Sequence, residues 1–183
     1  MTTIRQLFKS AVAALALAAS GAVAGAEDLD PLFEALRSAE GEAAEQIAGR
    51  IWEEWSETGS PAMNLLLNRG REALEAGDTP LAIEHFSALI DHAPEFAEGY
   101  NGRATAYFQA GLYGPSLADI RAVLALNPRH FGALGGLALI LEEIGEPAGA
   151  LEAYRAVEAL HPSRDGLQEA IRRLERDVGG EDI

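Results

Sequence analysis

From residue 63 to residue 164 the chain carries the same arrangement of large, small and polar positions three times. Leu66, Tyr100 and Leu134 hold one position, Gly70, Ala104 and Ala138 the next, and Ala73, Tyr107 and Leu141 the one after. Steps of four and three trace one face of a helix. A second helix follows in each unit, with Ala82, Ser116 and Ala150 as its small residues. Its larger ones are Phe86, Ile120 and Tyr154, then Leu89, Val123 and Val157. Small residues on both helices let an antiparallel pair approach closely while the large ones fill between them. The period is 34 residues: Pro94, Pro128 and Pro162 keep it, and so do Gly77, Gly111 and Gly145. Each glycine predicts a left-handed stop to the first helix. Pro80, Pro115 and Pro147 fall near the first turn of the second, where a missing N–H costs nothing. The units are therefore 63–96, 97–130 and 131–164.

The flanks follow the pattern more loosely. Counting back one period gives a degenerate unit in which Leu32, Ala48, Trp52 and Trp55 take the expected apolar positions. Residues 27–62 are read as a divergent helix pair, with both tryptophans expected to pack on the first repeat. After residue 164, Leu167, Ile171, Leu174 and Val178 recur at helical spacing. Residues 165–178 are the amphipathic capping helix that a stack of repeats needs over its last apolar face, and 179–183 are read as a frayed tail. At the other end, Arg5 and Lys9 precede the short apolar run 11–19 and the A-x-A sites at 22–24 and 24–26. Basic start, short apolar stretch and small-residue exit predict a secretory signal peptide over residues 1–26, cleaved after Ala26 or Ala24. The expected location is periplasmic, with no stable membrane insertion after cleavage.

The 34-residue period and its columns resemble the tetratricopeptide repeat family, most closely in 97–130 with Tyr100, Tyr107, Gly111, Tyr113 and Pro128. Arg69 and Arg103 depart from it at a usually aliphatic position. The resemblance implies an all-α, right-handed α-solenoid of antiparallel helix pairs, whose first helices line a concave groove that binds peptides. Carried over residue by residue, that stripe is Asn64, Leu67, Arg71 and Leu74 in the first repeat. The second supplies Glu98, Asn101, Thr105 and Phe108, and the third Gly132, Gly135, Leu139 and Glu142. Some relatives carry a Lys, Asn and Arg clamp for a terminal carboxylate; here Leu67 stands at its first place and residues 27–183 hold no lysine.

Composition narrows the partner. Of 183 residues, 48% are hydrophobic and only 7% aromatic, so the core is built from Ala, Leu and Ile. Fourteen bases against 29 acids give a net charge of −15, which disfavours a polyanionic partner such as nucleic acid. With no cysteine there are no disulfides, thiolate metal sites or cysteine nucleophiles. His92, His130 and His161 lie near repeat junctions, but their positions do not coincide and no His-x-x-x-His pair supports a metal. No nucleophile elbow or zinc-protease motif is present, and no cofactor is implied. The glycines at 99, 102, 132, 135 and 136 have two readings: bare backbone for a ligand, or tight helix contact. Arg37, Arg71, Arg69 and Arg103 likewise form either a small basic stripe or local pairs with neighbouring acids.

The expected function is a non-catalytic scaffold or adaptor that binds a peptide segment or envelope protein in the concave groove. The alternatives are a small-molecule or lipid carrier that uses the apolar patches of the groove, and a self-assembling structural module.

Overall fold

The computed structural model describes residues 28–180. The expected signal peptide lies outside the described residues, as do the last three residues of the expected tail. Among the described residues there are nine helices and no strand. They are α1 (Asp30–Ser38), α2 (Gly41–Ser56), α3 (Pro61–Glu75), α4 (Thr79–His92), α5 (Ala97–Gln109), α6 (Tyr113–Leu126), α7 (Phe131–Glu143), α8 (Pro147–Glu158) and α9 (Leu167–Gly180).

The repeated glycines set the turns. Gly77, Gly111 and Gly145 take φ of +75°, +72° and +75°, a region costly for any residue with a Cβ. At each, the next residue's N–H reaches back over the glycine: Asp78 to the Ala73 carbonyl at 2.9 Å, Leu112 to Tyr107 at 2.8 Å and Glu146 to Leu141 at 2.8 Å. These bonds satisfy carbonyls that the helix end would otherwise orphan. Pro80 and Pro147 fall at the first or second residue of α4 and α8. The chain then reverses, and α3 pairs with α4, α5 with α6 and α7 with α8. Each second helix packs on the next first helix, as in α4 on α5, α6 on α7 and α8 on α9. The result is an α-solenoid closed by α9, which buries Leu167, Ile171 and Leu174.

The packing explains several helix glycines. The Phe86 ring is wedged between α3 and α5, and a Cβ at Gly70 or Gly102 would fall 2.6 or 2.4 Å from it. A Cβ at Gly99 would meet Ile90 at 3.1 Å. Each glycine forgoes about 1 kcal/mol of helix propensity to bring a large side chain onto bare backbone. The α9 helix begins after Gly166, at φ +73°, and continues to Gly180. Gly179 and Gly180, read from sequence as tail, are therefore helical.

The tryptophans do not pack on the first repeat. In a regular stack α2 would lie on α3. Instead no Cα of α2 comes within 8 Å of α3 or α4, and among the other repeats its backbone approaches α5 alone. The α1–α2 pair swings across the inner face, where Trp52 and Trp55 meet Phe131 at ring distances of 5.7 and 5.1 Å. The physical reason is the seat. Gly132 is bare beneath Trp52, and a Cβ there would sit 2.6 Å from the indole. Arg129 also lies 4.3 Å over the Phe33 ring and pairs with Asp30 at 2.5 Å.

Candidate protein-binding groove

The first helices of the repeats, α3, α5 and α7, lie side by side along the inner face. The residues expected to line it divide into three groups. Some are consumed by the fold. Leu67 is buried in the core cluster with Ala73 and Phe86. Gly135 is buried beneath the Arg164 guanidinium, where a Cβ would meet Nη1 at 2.5 Å. Glu142 accepts from the Tyr154 hydroxyl at 2.9 Å and pairs with Arg173 of α9 at 2.5 Å. Asn64 lies at the outer edge, with its Oδ1 2.6 Å from the Thr58 hydroxyl.

A second group sits beneath α2. Glu98 is buried, and its Oε1 accepts from Nε2 of the buried His130 at 2.6 Å. The other ring nitrogen of His130 accepts the Ala133 N–H at 3.0 Å, capping α7, so the proton resides on Nε2. Glu98 Oε2 also receives Arg71 Nη2 and Asn101 Nδ2, each at 3.5 Å. Arg71 gives a stronger bond to the Ser56 hydroxyl of α2, at 2.7 Å. Trp55 stacks on the His130 ring at 4.5 Å and 19°, sealing this buried polar cluster. Sequence reasoning placed His130 near a helix end but missed its role. The signal was its position one residue before the periodic run of α7, where a side-chain acceptor is favoured.

A third group faces open space. Asn101, Thr105, Phe108, Leu139 and Arg164 line a furrow of about 320 Å³ between α5 and α7. Leu139 and Arg164 continue into a second hollow of about 240 Å³ against Tyr154 and Leu167. Leu139 is 45% exposed. Arg164 donates to the Phe131 carbonyl at 3.2 Å and has no carboxylate partner among the described residues. The furrow thus combines two apolar contacts, an amide, a hydroxyl and one uncommitted cation. Such a set suits a peptide backbone with apolar side chains and an acidic group.

Two further hollows flank α2. One of about 460 Å³ lies between α2 and the Arg71, Leu74, Phe86 and Asn101 side of the face. The other, of about 350 Å³, lies between the Glu45, Gly49 and Trp52 face of α2 and residues 161–165. His161 lines the second; it is buried, and among the described residues neither of its ring nitrogens has a partner. Burial holds its imidazole below the ordinary 6.5, with Glu45 and Asp165 opposing that and Arg164 reinforcing it. The glycines at 132 and 135 are therefore bare for Trp52 and Arg164 of this same chain.

Three members of the expected basic stripe, Arg37, Arg71 and Arg103, are in local pairs. Arg103 forks onto Asp119 at 2.7 and 2.9 Å and also reaches the Ser87 hydroxyl, which raises its pKa. Arg37 pairs with Glu34. Among the described residues no group of three His, Asp or Glu is placed to hold a metal, and no helix is long and apolar enough to cross a membrane.

The family described as tetratricopeptide repeat matches residues 67–115 and 116–165. A TPR repeat-containing protein of Rhizobium etli is 37% identical over 153 residues, 83% of this chain and 75% of the relative. Among solved structures, the first TPR of Spaghetti (RPAP3) bound to the HSP90 peptide SRMEEVD superposes with a TM-score of 0.61 at 20% identity. It covers 64% of this chain and 93% of that one. The TPR2B domain of yeast Sti1, in complex with an Hsp70 peptide, gives 0.59 at 22% identity over 64% and 99%.

Proposed function

The chain belongs to the tetratricopeptide repeat family, and from that premise we propose that it is a non-catalytic adaptor that holds a peptide segment of another protein in its concave furrow. The observation that carries this reading is the furrow between α5 and α7. There Asn101, Thr105, Phe108 and Leu139 are presented together, with a cation that no acid of the described chain neutralises. A peptide laid along α5 and α7 would hydrogen-bond to Asn101 and place apolar side chains on Phe108 and Leu139. A carboxylate of that peptide would sit on Arg164. Two structures of the same fold hold peptides, from HSP90 and from Hsp70, which supports the same use here. The carboxylate clamp of some relatives is replaced by Leu67, itself buried, so recognition depends on the second and third repeats rather than the first.

The place of action we propose is the bacterial periplasm, reached through the signal at residues 1–26. Amino-terminal sequencing of the protein recovered from a periplasmic extract tests it, with a start at Glu27 or Gly25 expected. An intact Met1 start in a cytosolic fraction would refute it.

The groove is tested by crosslinked affinity capture from the envelope, with wild type set against Asn101→Ala/Phe108→Ala. Asn101 is half-buried and Phe108 packs on Tyr113 and the second-repeat core, so helicity should be retained while melting falls with the lost packing. A protein captured by wild type and lost with the variant identifies the partner. Equal capture by both would remove the furrow from consideration.

A further inference from the structure

The region beneath α2 differs from the open furrow because it already has an occupant. That occupant is a helix held by its side chains. Trp52 rests over the bare backbone of Gly132 and Trp55 stacks on His130, while no Cα of α1 or α2 comes within 8 Å of α7. The fit is incomplete. Solvent-open hollows of about 460 and 350 Å³ remain on either side of α2. In the second hollow α2 also leaves both ring nitrogens of the buried His161 without a partner among the described residues, which is unfavourable for a buried polar group. Its tether is short: four residues, Glu57–Ser60, join α2 to α3, and Gly59 takes φ +68°.

The charges around the seat complement the occupant. Arg71 meets Ser56 of α2, Arg129 meets Asp30 of α1, and Arg164 borders the hollow that Glu45 lines. The occupant is acidic, since α2 carries Glu42, Glu45, Glu53 and Glu54 against Arg50 alone. Its two rings sit three residues apart, one helical turn on the same face.

We infer that the surface formed by His130, Phe131, Gly132 and the cations around them is a docking site for an acidic amphipathic helix of a partner protein. That helix bears two aromatic residues at i and i+3. The α2 helix is the resident stand-in, displaced when the partner helix binds. This rests on the reading of the inner face as a protein-binding surface and adds the class of partner. A docked partner helix with rings at the same spacing takes the places of Trp52 and Trp55. A polar group on its flank satisfies His161, which α2 does not.

The test uses the full chain from residue 27 and a fluorescein-labelled peptide of residues 41–57, read by fluorescence anisotropy. Wild type should bind the peptide about tenfold more weakly than Trp52→Ala/Trp55→Ala, the difference set by a seat free about one time in ten. A peptide with both tryptophans changed to alanine should not bind, and adding Gly132→Leu to the opened chain should abolish binding. Equal affinity for wild type and opened chain, or no binding to either, would overturn the inference. Where the opened chain loses helicity, wild type alone decides. Excess peptide should then raise hydrogen exchange within residues 30–56, and unchanged exchange counts against displacement. A concentration-dependent dimer in sedimentation that keeps α2 protected would overturn it in favour of a second copy as the occupant. The two readings separate cleanly. If the peptide fails on the opened chain while envelope capture still depends on Asn101 and Phe108, the docking site falls and the furrow stands. Peptide binding without furrow-dependent capture has the opposite meaning.

Discussion

The repeats α3–α8 and the pair α1–α2 are built from helices of similar length and apolar content, yet they are held in opposite ways. In the repeats, small residues bring helix backbones together and one ring can serve two helices, as Phe86 does between Gly70 and Gly102. Phe33, Leu36, Ala44, Ala48 and Ile51 of the α1–α2 pair join one buried cluster with Phe131, Leu134 and Leu141 of the third repeat, yet the pair reaches that repeat through side chains and exposed ion pairs, with no Cα of it within 8 Å of α7. The difference teaches where the cooperative unit ends. Stacked repeats gain stability from each neighbouring interface, whereas an element joined by side chains without close backbone contact can open locally without unfolding the rest.

The most severe way to break this contrast is to remove the ring that two helices share. Phe86→Ala should cost about 3–5 kcal/mol and lower the melting of the whole repeat block. Gly102→Ala should also destabilise, because overpacking against the ring, about 1–3 kcal/mol, outweighs about 1 kcal/mol of recovered helix propensity. The two effects are coupled. In the Phe86→Ala background, Gly102→Ala should become neutral or stabilising, because the atom it collides with has gone. Denaturant melting of the four proteins checks this, and strict additivity would show that the ring does not set the glycine requirement.

A smaller intervention acts on the other side of the comparison. Trp55→Ala removes one stacking contact, worth about 0.5–1.5 kcal/mol beyond its buried area. Its effect should stay within the pair. Amide exchange should speed up across residues 30–56 and remain unchanged in α5–α8. Loss of protection throughout would mean that α1–α2 belongs to the same cooperative unit as the repeats.

The same contrast governs what the sequence revealed. A 34-residue period is written redundantly, with glycine, proline and small residues each stating it three times, so the helix pairs and their turns were legible. The expectation that Trp52 and Trp55 extend the stack came from period alone. It failed because Gly132, Arg129 and Phe131, some 80 residues away in the chain, offer a better seat than α3 does. Much of the stripe expected to line the groove is covered for a related reason. A position on the inner face does not reveal whether a neighbour has covered it, as α2 covers Glu98 and Arg164 covers Gly135. Asn101, Thr105, Phe108 and Leu139 were expected on the inner face, and they line the open furrow there. Arg164 was overlooked because it is the last residue of the third repeat, between α8 and α9 rather than on a first helix.

The mildest perturbation acts at the joint between the two regions. His161 is buried beside the hollow under α2 and is held below its ordinary 6.5, first by desolvation. The unfolded chain therefore takes up this proton at a higher pH than the folded chain. Below pH 6.5 the unfolded state binds more protons than the native one, so stability falls as the solution is acidified and the loss is complete once the folded chain is protonated as well. Of the three effects this should be the smallest, and it should appear first as faster exchange in α2, whose Glu45 and Trp52 border the same hollow. Comparing wild type with His161→Gln at pH 7.5 and 5.5 isolates the contribution. The acid-induced loss should shrink in the variant, and an identical loss in both proteins would assign the acid sensitivity to other groups. Because the imidazole faces α2 on one side and the α8–α9 turn on the other, the same experiment reports whether mild acid loosens the resident helix before it touches the repeats.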